Sequence, residues 1–281
     1  MTMKSSQKFV LSTKRFYWAR RQDPLGWRAM SKWRRAVISA AEVARYAVTG
    51  KANLGFCPVC EKTTVFIEKS TWLRDNYLCA KCASIPRVRH IIHVLQRQFP
   101  HFREWAIHES SPSGPGFDKL RKECPGYSPT YYWPDTTPGT FKNGFRCENL
   151  EALTFADASF DLVVTQDVME HVMNPDRAFS EIARTLKPGG AHVFTVPWYA
   201  PKPTFIRAAE IGEGIEYFAE KDYHGNPIDE GGALVVTEWG MGLPEFIFKH
   251  SGLVTTVFVT RDRHMGLAGE FIEAFVSRKP T

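Results

Sequence analysis

Residues 153–197 read LTFADASFDLVVTQDVMEHVMNPDRAFSEIARTLKPGGAHVFTVP. Two short valine-rich apolar runs, 160–165 and 191–196, are bounded by polar residues and are too short for helices, so each reads as a strand buried on both faces. Between them, Asn174 stands where a helix cap belongs. Pro175 follows in the first turn, where its missing N–H costs nothing, and Pro188-Gly189-Gly190 supplies a stop. Ala178, Phe179, Ile182, Ala183 and Leu186 recur at helical spacing and give that helix one apolar face. Strand, crossover helix and strand make a right-handed βαβ unit, which places the chain among the α/β folds with a parallel sheet.

Three motifs in this stretch carry a resemblance. Phe160-Asp161-Leu162-Val163, Glu170-His171-Val172 and Leu186-Lys187-Pro188-Gly189-Gly190, in this order and around this helix, resemble the class I S-adenosylmethionine-dependent methyltransferases of the type 11 branch. The resemblance is clear over residues 153–197 and weaker on both sides. It implies a Rossmann-like seven-stranded methyltransferase sheet, S-adenosylmethionine as cofactor, and transfer of its methyl group to an acceptor.

The 281 residues suffice for a full α/β core and a smaller module. No apolar run approaches the roughly 20 residues of a membrane helix, and the basic N-terminus lacks a signal-peptide core, so the expected address is cytoplasmic. The net charge of +6 is unevenly placed. Residues 1–51 hold 12 of the 36 lysines and arginines and only Asp23 and Glu42 of the 30 acidic side chains, a local +10, which leaves −4 on the remainder. Within this arm Lys14, Arg15, Phe16, Tyr17, Trp18, Arg20, Arg21, Trp27, Arg28, Lys32 and Trp33 interleave basic and aromatic side chains. From about Met30 the pattern turns helical, with Met30, Trp33, Val37, Ala41, Ala44 and Val48 on one stripe and Gly50 as a stop. Such an arm is either an RNA-tracking or anionic-membrane surface, or a helix docked on the larger domain by its apolar stripe.

Cys57-Pro58-Val59-Cys60 and Cys79-Ala80-Lys81-Cys82 are two CxxC pairs 18 residues apart, the spacing of a zinc ribbon. Each pair makes a knuckle with two thiolates on one side, and four thiolates complete the closed tetrahedral shell of a structural zinc. Residues 63–67 and 72–78 read as the outgoing and returning strands. A closed shell has no place for substrate. Chelation is therefore expected to loosen this module without reaching the methyl-transfer chemistry. Cys124 and Cys147 have no partner at ligand spacing and read as small core or surface residues.

Residues 86–99 read as a helix with Val88, Ile91, Ile92, Leu95 and Phe99 on one side. Residues 105–109 follow as the first strand and lead into Ser110-Ser111-Pro112-Ser113-Gly114-Pro115-Gly116. In the resembling family this turn is an acidic residue followed by glycines that let the backbone approach the methionine end of the cofactor. Here serine and proline replace most of the glycines, and Glu109, Gly114 and Gly116 echo the pattern, with Ser111 and Ser113 small enough to approach a ligand. Residues 127–133 are the second strand. The family closes it with an acidic residue on the ribose, for which Asp135 is the nearest candidate, a solvated turn residue being the other reading. After a short third strand at 145–147, Glu148 or Asn149 aligns with the family's adenine-binding position.

Thr165, Gln166 and Asp167 leave the fourth strand at its carboxyl end, where ligands of doubly wound sheets sit. Glu170 and His171 are expected on a short helix, with His171 either a packing residue or a base. Residues 198–236 lack periodicity and read as a cap insertion over the acceptor. There Arg207, Glu210, Tyr223, His224, Asn226 and Asp229 are the polar candidates. His224 is the first candidate general base, because an imidazole titrates near physiological pH, the alternative being a histidine that pins the loop. A helix at 239–250 and strands at 253–260 and 271–277 finish the sheet as an antiparallel pair.

The sequence thus divides into a basic helical arm (1–52), a zinc ribbon (53–85) and a class I methyltransferase domain (86–281) with a cap at about 198–236. The expected reaction is methyl transfer to an oxygen or nitrogen of a small-molecule or glycan acceptor. Methylation of RNA held by the arm and ribbon is the first alternative. A non-enzymatic binding protein with a degenerate methyltransferase fold is the second, motivated by the scarce glycines.

Overall fold

The structure is a computed structural model that describes residues 38–225 and 231–281. The interleaved basic and aromatic residues of the arm, with Met30, Trp33 and Val37, and the cap residues Asn226 and Asp229 lie outside the described residues. The first described element is helix α1 (Ala40–Val48), capped by Ser39, whose Oγ accepts from the Glu42 N–H at 3.2 Å. Its orientation differs from the expected stripe. Ala41, Ala44 and Val48 face solvent, Val48 being 89% exposed, while the opposite side meets the ribbon and Glu42 pairs with Lys69 at 3.1 Å. The helix ends near Gly50 as expected, with φ +69° at that glycine.

Strands β1 (Ala52–Cys57), β2 (Lys62–Glu68) and β3 (Tyr77–Cys79) form an antiparallel sheet in that order. The returning strand is shorter than expected because residues 73–76 make a helical turn, α2 (Leu73–Asn76). This ribbon is not an appendage. Cys57, Val59, Phe66, Tyr77 and Cys79 share one buried cluster with Val88, Ile91, Ile92 and Leu95 of α3 (Pro86–Gln98) and with Ile107, Leu162, Val164, Val193 and Val276 of the large sheet. Arg89 of α3, fully buried, fastens the junction by donating to the carbonyls of Tyr77 at 2.8 Å and Gly266 at 2.6 Å.

The large sheet is built from β4 (Ile107–Ser110), then helix α4 (Gly114–Glu123), β5 (Tyr127–Tyr131), β6 (Phe141–Lys142), β7 (Phe145–Cys147), β8 (Phe160–Gln166), helix α5 (Pro175–Thr185) and β9 (Leu186–Thr195). Six short strands follow in the insertion: β10 (Phe205–Ile206), β11 (Ala208–Ile211), β12 (Gly214–Tyr217), β13 (Tyr223–His224), β14 (Ala233–Leu234) and β15 (Thr237–Glu238). Helix α6 (Leu243–Ser251), β16 (Val254–Phe258) and β17 (Ala274–Arg278) complete the fold. The strand order is β16-β17-β9-β8-β4-β5-β7-β6. Pairs β7-β5, β5-β4, β4-β8 and β8-β9 are parallel, and pairs β9-β17 and β17-β16 are antiparallel, so β17 runs against its two neighbours. The seven expected strands are present, and the two-residue β6 adds an eighth at the edge. One face carries α3, α4 and the ribbon. On the other, α5 and α6 bury Phe179, Ile182, Leu243 and Ile247 against Val163, Phe194 and Phe275.

The βαβ unit holds with two adjustments. Helix α5 stops at Thr185, a turn before the glycines, and β9 starts at Leu186, so Pro188-Gly189-Gly190 forms an irregularity within the strand, left-handed at Gly189 (φ +76°) where the register against β8 shifts. Asn174 occupies the cap position without a side-chain cap bond. Its amide donates instead to Glu151 at 2.9 Å and Glu210 at 3.1 Å, which ties the insertion to the helix start. Cys124 and Cys147 are buried, in keeping with the core reading.

Candidate active site and cysteine centre

The sheet changes direction between β4 and β8, because the chain leaves β4 toward β5 on one side and returns as β8 on the other. Ligands of open α/β sheets bind at such a point, beyond the carboxyl ends of the strands. Glu109 of β4 is fully buried there. Its carboxylate accepts from the Tyr127 hydroxyl and, at 2.8 Å, from Gln166 Nε2. Burial outweighs both hydrogen bonds and lifts the Glu109 carboxyl to about 7. Gln166 Oε1 is buried with no hydrogen-bond partner. The turn after β4 takes left-handed backbone at Ser111 (φ +54°) and Gly114 (φ +69°). Ser113 is the cap residue of α4 but makes no side-chain cap bond, so the first N–H groups of this helix have no cap acceptor from it. Gly116 serves packing, since a Cβ there would lie 2.8 Å from Val88 Cγ1.

Other expected ligand positions are dispersed. Asp135 is exposed and pairs with Lys142 at 2.7 Å, which draws it toward β6 and holds its carboxyl low. Glu148 is 1% exposed, and its oxygens accept from Arg146 Nε at 2.6 Å and from the Thr154 N–H at 2.8 Å. Of the two adenine candidates, Asn149 is the half-buried one. Thr165 does not reach the crevice. It points to the α5 face, where Oγ1 lies 2.9 Å from Nε2 of the buried His192.

Asp167 stands at the end of β8 with φ +52°. Arg74 Nη2 of α2 and Arg87 Nε of α3 reach its Oδ2 at 2.7 and 2.8 Å, and Thr195 donates to Oδ1 at 2.9 Å. Burial alone would raise this carboxyl, but the two guanidinium groups outweigh it and hold it at about 2. Asp167 is therefore a permanently charged clamp between sheet and ribbon. No sequence signal pointed to Arg74 or Arg87, because the residues lie in separate segments. The same contact ties α2, beside the cysteine module, to the carboxyl end of β8.

Glu170 and His171 lie in a turn rather than on a short helix. Glu170 is 1% exposed, neither carboxylate oxygen has a hydrogen-bond partner, and burial together with the Asp167 charge raises its carboxyl well above the usual range. His171 Nδ1 lies 2.8 Å from the Leu234 carbonyl, and burial lowers the ring to about 4. His224, on β13, is brought to the same spot: its Nδ1 is 3.9 Å from Glu170 Oε1, and its ring stands 5.2 Å from that of His171. Burial lowers its pKa as well. Of the expected catalytic residues His224, Asp167 and His171, the two histidines meet, with Glu170 as the third member, while Asp167 is engaged by Arg74 and Arg87.

Cys57, Cys60, Cys79 and Cys82 converge, with Sγ distances of 3.8 Å (Cys57 to Cys82) and 3.9 Å (Cys60 to Cys79) and all four sulfurs within 4.8 Å of one another. Hydrogen bonds from neighbouring thiols favour the thiolate at Cys57, lowered to about 7, and at Cys79. Four sulfurs at these separations are the donor set of a tetrahedral zinc.

Residues 134–194 match the family described as "Methyltransferase domain". The sequence likeness to a methyltransferase domain lies in these residues. Two short stretches are identical in part to methyltransferases. The chain is 44% identical over 52 residues to a dimethylglycine N-methyltransferase of Parasynechococcus marenigrum, covering 18% of this chain and 19% of that protein. It is 52% identical over 42 residues to the ubiquinone/menaquinone biosynthesis C-methyltransferase UbiE of Hydrogenovibrio crunogenus, covering 15% and 16%. The matches thus span less than a fifth of either relative's length. Among solved structures, an S-adenosylmethionine-dependent methyltransferase from Mesorhizobium loti matches at 18% identity, with 68% of this chain, 98% of that chain and a TM-score of 0.44. A Burkholderia thailandensis 1,6-didemethyltoxoflavin-N1-methyltransferase, solved with S-adenosylhomocysteine, matches at 13% identity, with 69% and 79% covered and a TM-score of 0.40. The crevice has features that fit S-adenosylmethionine: an α4 start lacking its side-chain cap, and the orphaned Gln166 Oε1 beside Glu109.

Proposed function

We propose that the protein is an S-adenosylmethionine-dependent methyltransferase acting on an oxygen or nitrogen of a small-molecule or glycan acceptor, with a structural zinc in the four-cysteine centre. The observation that carries this reading is the left-handed turn at Ser111 and Gly114, set at the direction change of the sheet and opening a helix whose first N–H groups lack a side-chain cap. When bound, S-adenosylmethionine supplies a methyl group activated by a sulfonium charge. The start of α4 with Ser111 and Ser113 holds the carboxylate end. Gln166, itself held by Glu109, orients the ligand through its free carbonyl, and Asn149 takes the adenine side. Asp135, tied to Lys142, meets the ribose only if that exposed pair opens.

Methyl transfer needs alignment and exclusion of water, which is the role assigned to the cap at about 198–236. Acceptor activation falls to the cluster of Glu170, His171 and His224, which joins the end of β8 to strand β13 of that cap. The small-acceptor reading is favoured by this joint, since it brings the cap down beside the crevice. Cell extract supplied with methyl-labelled S-adenosylmethionine, then separated into RNA, glycan and small-molecule fractions, tests the assignment. Label is expected in the small-molecule or glycan fraction. Label confined to RNA would transfer the reading to an RNA acceptor, and cofactor binding without label in any fraction would favour a binding protein.

A further inference from the structure

We propose that Glu170, His171 and His224 form a divalent-cation site that fastens the cap insertion to the carboxyl end of β8. Three observations converge. The Glu170 carboxylate is enclosed, and neither oxygen receives a hydrogen bond. A buried carboxylate without donors is costly, and a cation satisfies it. Second, two imidazole nitrogens stand beside it: His171 Nε2 at 3.7 Å and His224 Nδ1 at 3.9 Å from Glu170 Oε1. Third, His171 donates its Nδ1–H to the Leu234 carbonyl at 2.8 Å, which leaves the lone pair of Nε2 directed to the cluster. A ligating histidine is characteristically fixed in this way by a backbone acceptor on its other nitrogen.

One ligand atom from each residue lies within 4.8 Å of the others. With metal-ligand bonds of about 2.1 Å, first-row ligands sit roughly 3 to 3.5 Å apart, so closure needs both histidines to draw in toward Glu170 from 3.7 and 3.9 Å. Two imidazoles and one carboxylate suit Mn²⁺, Fe²⁺, Co²⁺ or Zn²⁺, and three protein ligands leave positions open for water or an acceptor oxygen. The neighbouring charge permits it. Arg74 is engaged by Asp167 and Arg87 by Asp167 and Asp75, so the two guanidinium charges are already met by two carboxylates. A bound ion would lower the pKa of an acceptor hydroxyl and make His224 a ligand in place of a free base. The effect on an acceptor rests on the proposed function, whereas binding of the ion needs only the three side chains and is measured without cofactor or acceptor.

The full chain, loaded with zinc so that the four thiolates are already occupied, is titrated with Mn²⁺ followed by electron paramagnetic resonance and with Co²⁺ followed by visible absorption. One equivalent is expected to bind. Glu170→Gln and His224→Ala are each expected to weaken binding by about tenfold or more, with zinc content and circular dichroism unchanged. His224 is partly exposed on a two-residue strand, so its replacement leaves the fold intact. Absence of saturable binding of both ions up to millimolar concentration overturns the site, as does wild-type affinity retained in either variant.

Discussion

Glu109 occupies the position where the resembling family keeps an acidic side chain, yet here it is wholly enclosed and shares hydrogens with Tyr127 and Gln166. Its carboxyl titrates at about 7, against an ordinary 4.5 in the unfolded chain. Between those values the native state holds a proton that the unfolded state has released, so this group costs stability as pH rises from 4.5 to about 7, by roughly 3 kcal/mol in all. Glu109→Gln keeps shape and acceptor but removes the titration. Urea unfolding of the ligand-free protein is expected to show the variant gaining on the wild type between pH 5 and pH 8; parallel profiles would contradict the buried-acid assignment. At Asp167 the sign is opposite, a charge held by Arg74 and Arg87. Arg74→Ala, which leaves that buried carboxylate with one guanidinium, is expected to cost about 3 kcal/mol in denaturant unfolding, whereas Arg45→Ala on the exposed α1 should cost under about 0.5 kcal/mol. Glu109, Asp167, His171 and His224 could be picked out as residue types, His224 in the cap and the others beside the strand ends. Their partners could not. Gln166, Arg74, Arg87 and the Leu234 carbonyl come from distant segments, and only the folded chain brings them together.

At the scale of elements, the unit β8-α5-β9 could be read directly because two buried apolar runs and a 3.6-residue stripe have no competing interpretation. Phe179, at the centre of that stripe, meets His192, Phe194, Trp239 and Phe246. Phe179→Ala is expected to cost about 3–5 kcal/mol in equilibrium unfolding, because α5 cannot close the space against both sheet and α6. The segment after β8 misled: Glu170 and His171 were expected on a helix. The left-handed Asp167 and the constraint that Pro175 puts on Asn174 leave room only for turns. The cap showed no periodicity because its strands are two to four residues long, below the length at which alternation can be seen. Helix α1 carries a stripe whose described members Ala41, Ala44 and Val48 face solvent, an orientation that periodicity alone does not fix.

Across the whole molecule, the four-cysteine ribbon and the large sheet share one core, and Arg74 of α2 beside the ribbon ends on Asp167 beside the crevice. Loss of the metal should therefore be felt at both places. Cys79→Ser is expected to abolish stoichiometric zinc, lower stability by several kcal/mol and weaken cofactor binding, measured by metal analysis, unfolding and calorimetry. Full stability without zinc would show that the shared core suffices without the metal. The most direct trial of the account is calorimetric titration of the zinc-loaded protein with S-adenosylhomocysteine. The account predicts saturable binding of one equivalent in the crevice between β4 and β8. No heat at millimolar ligand, from protein shown to be folded, would contradict it.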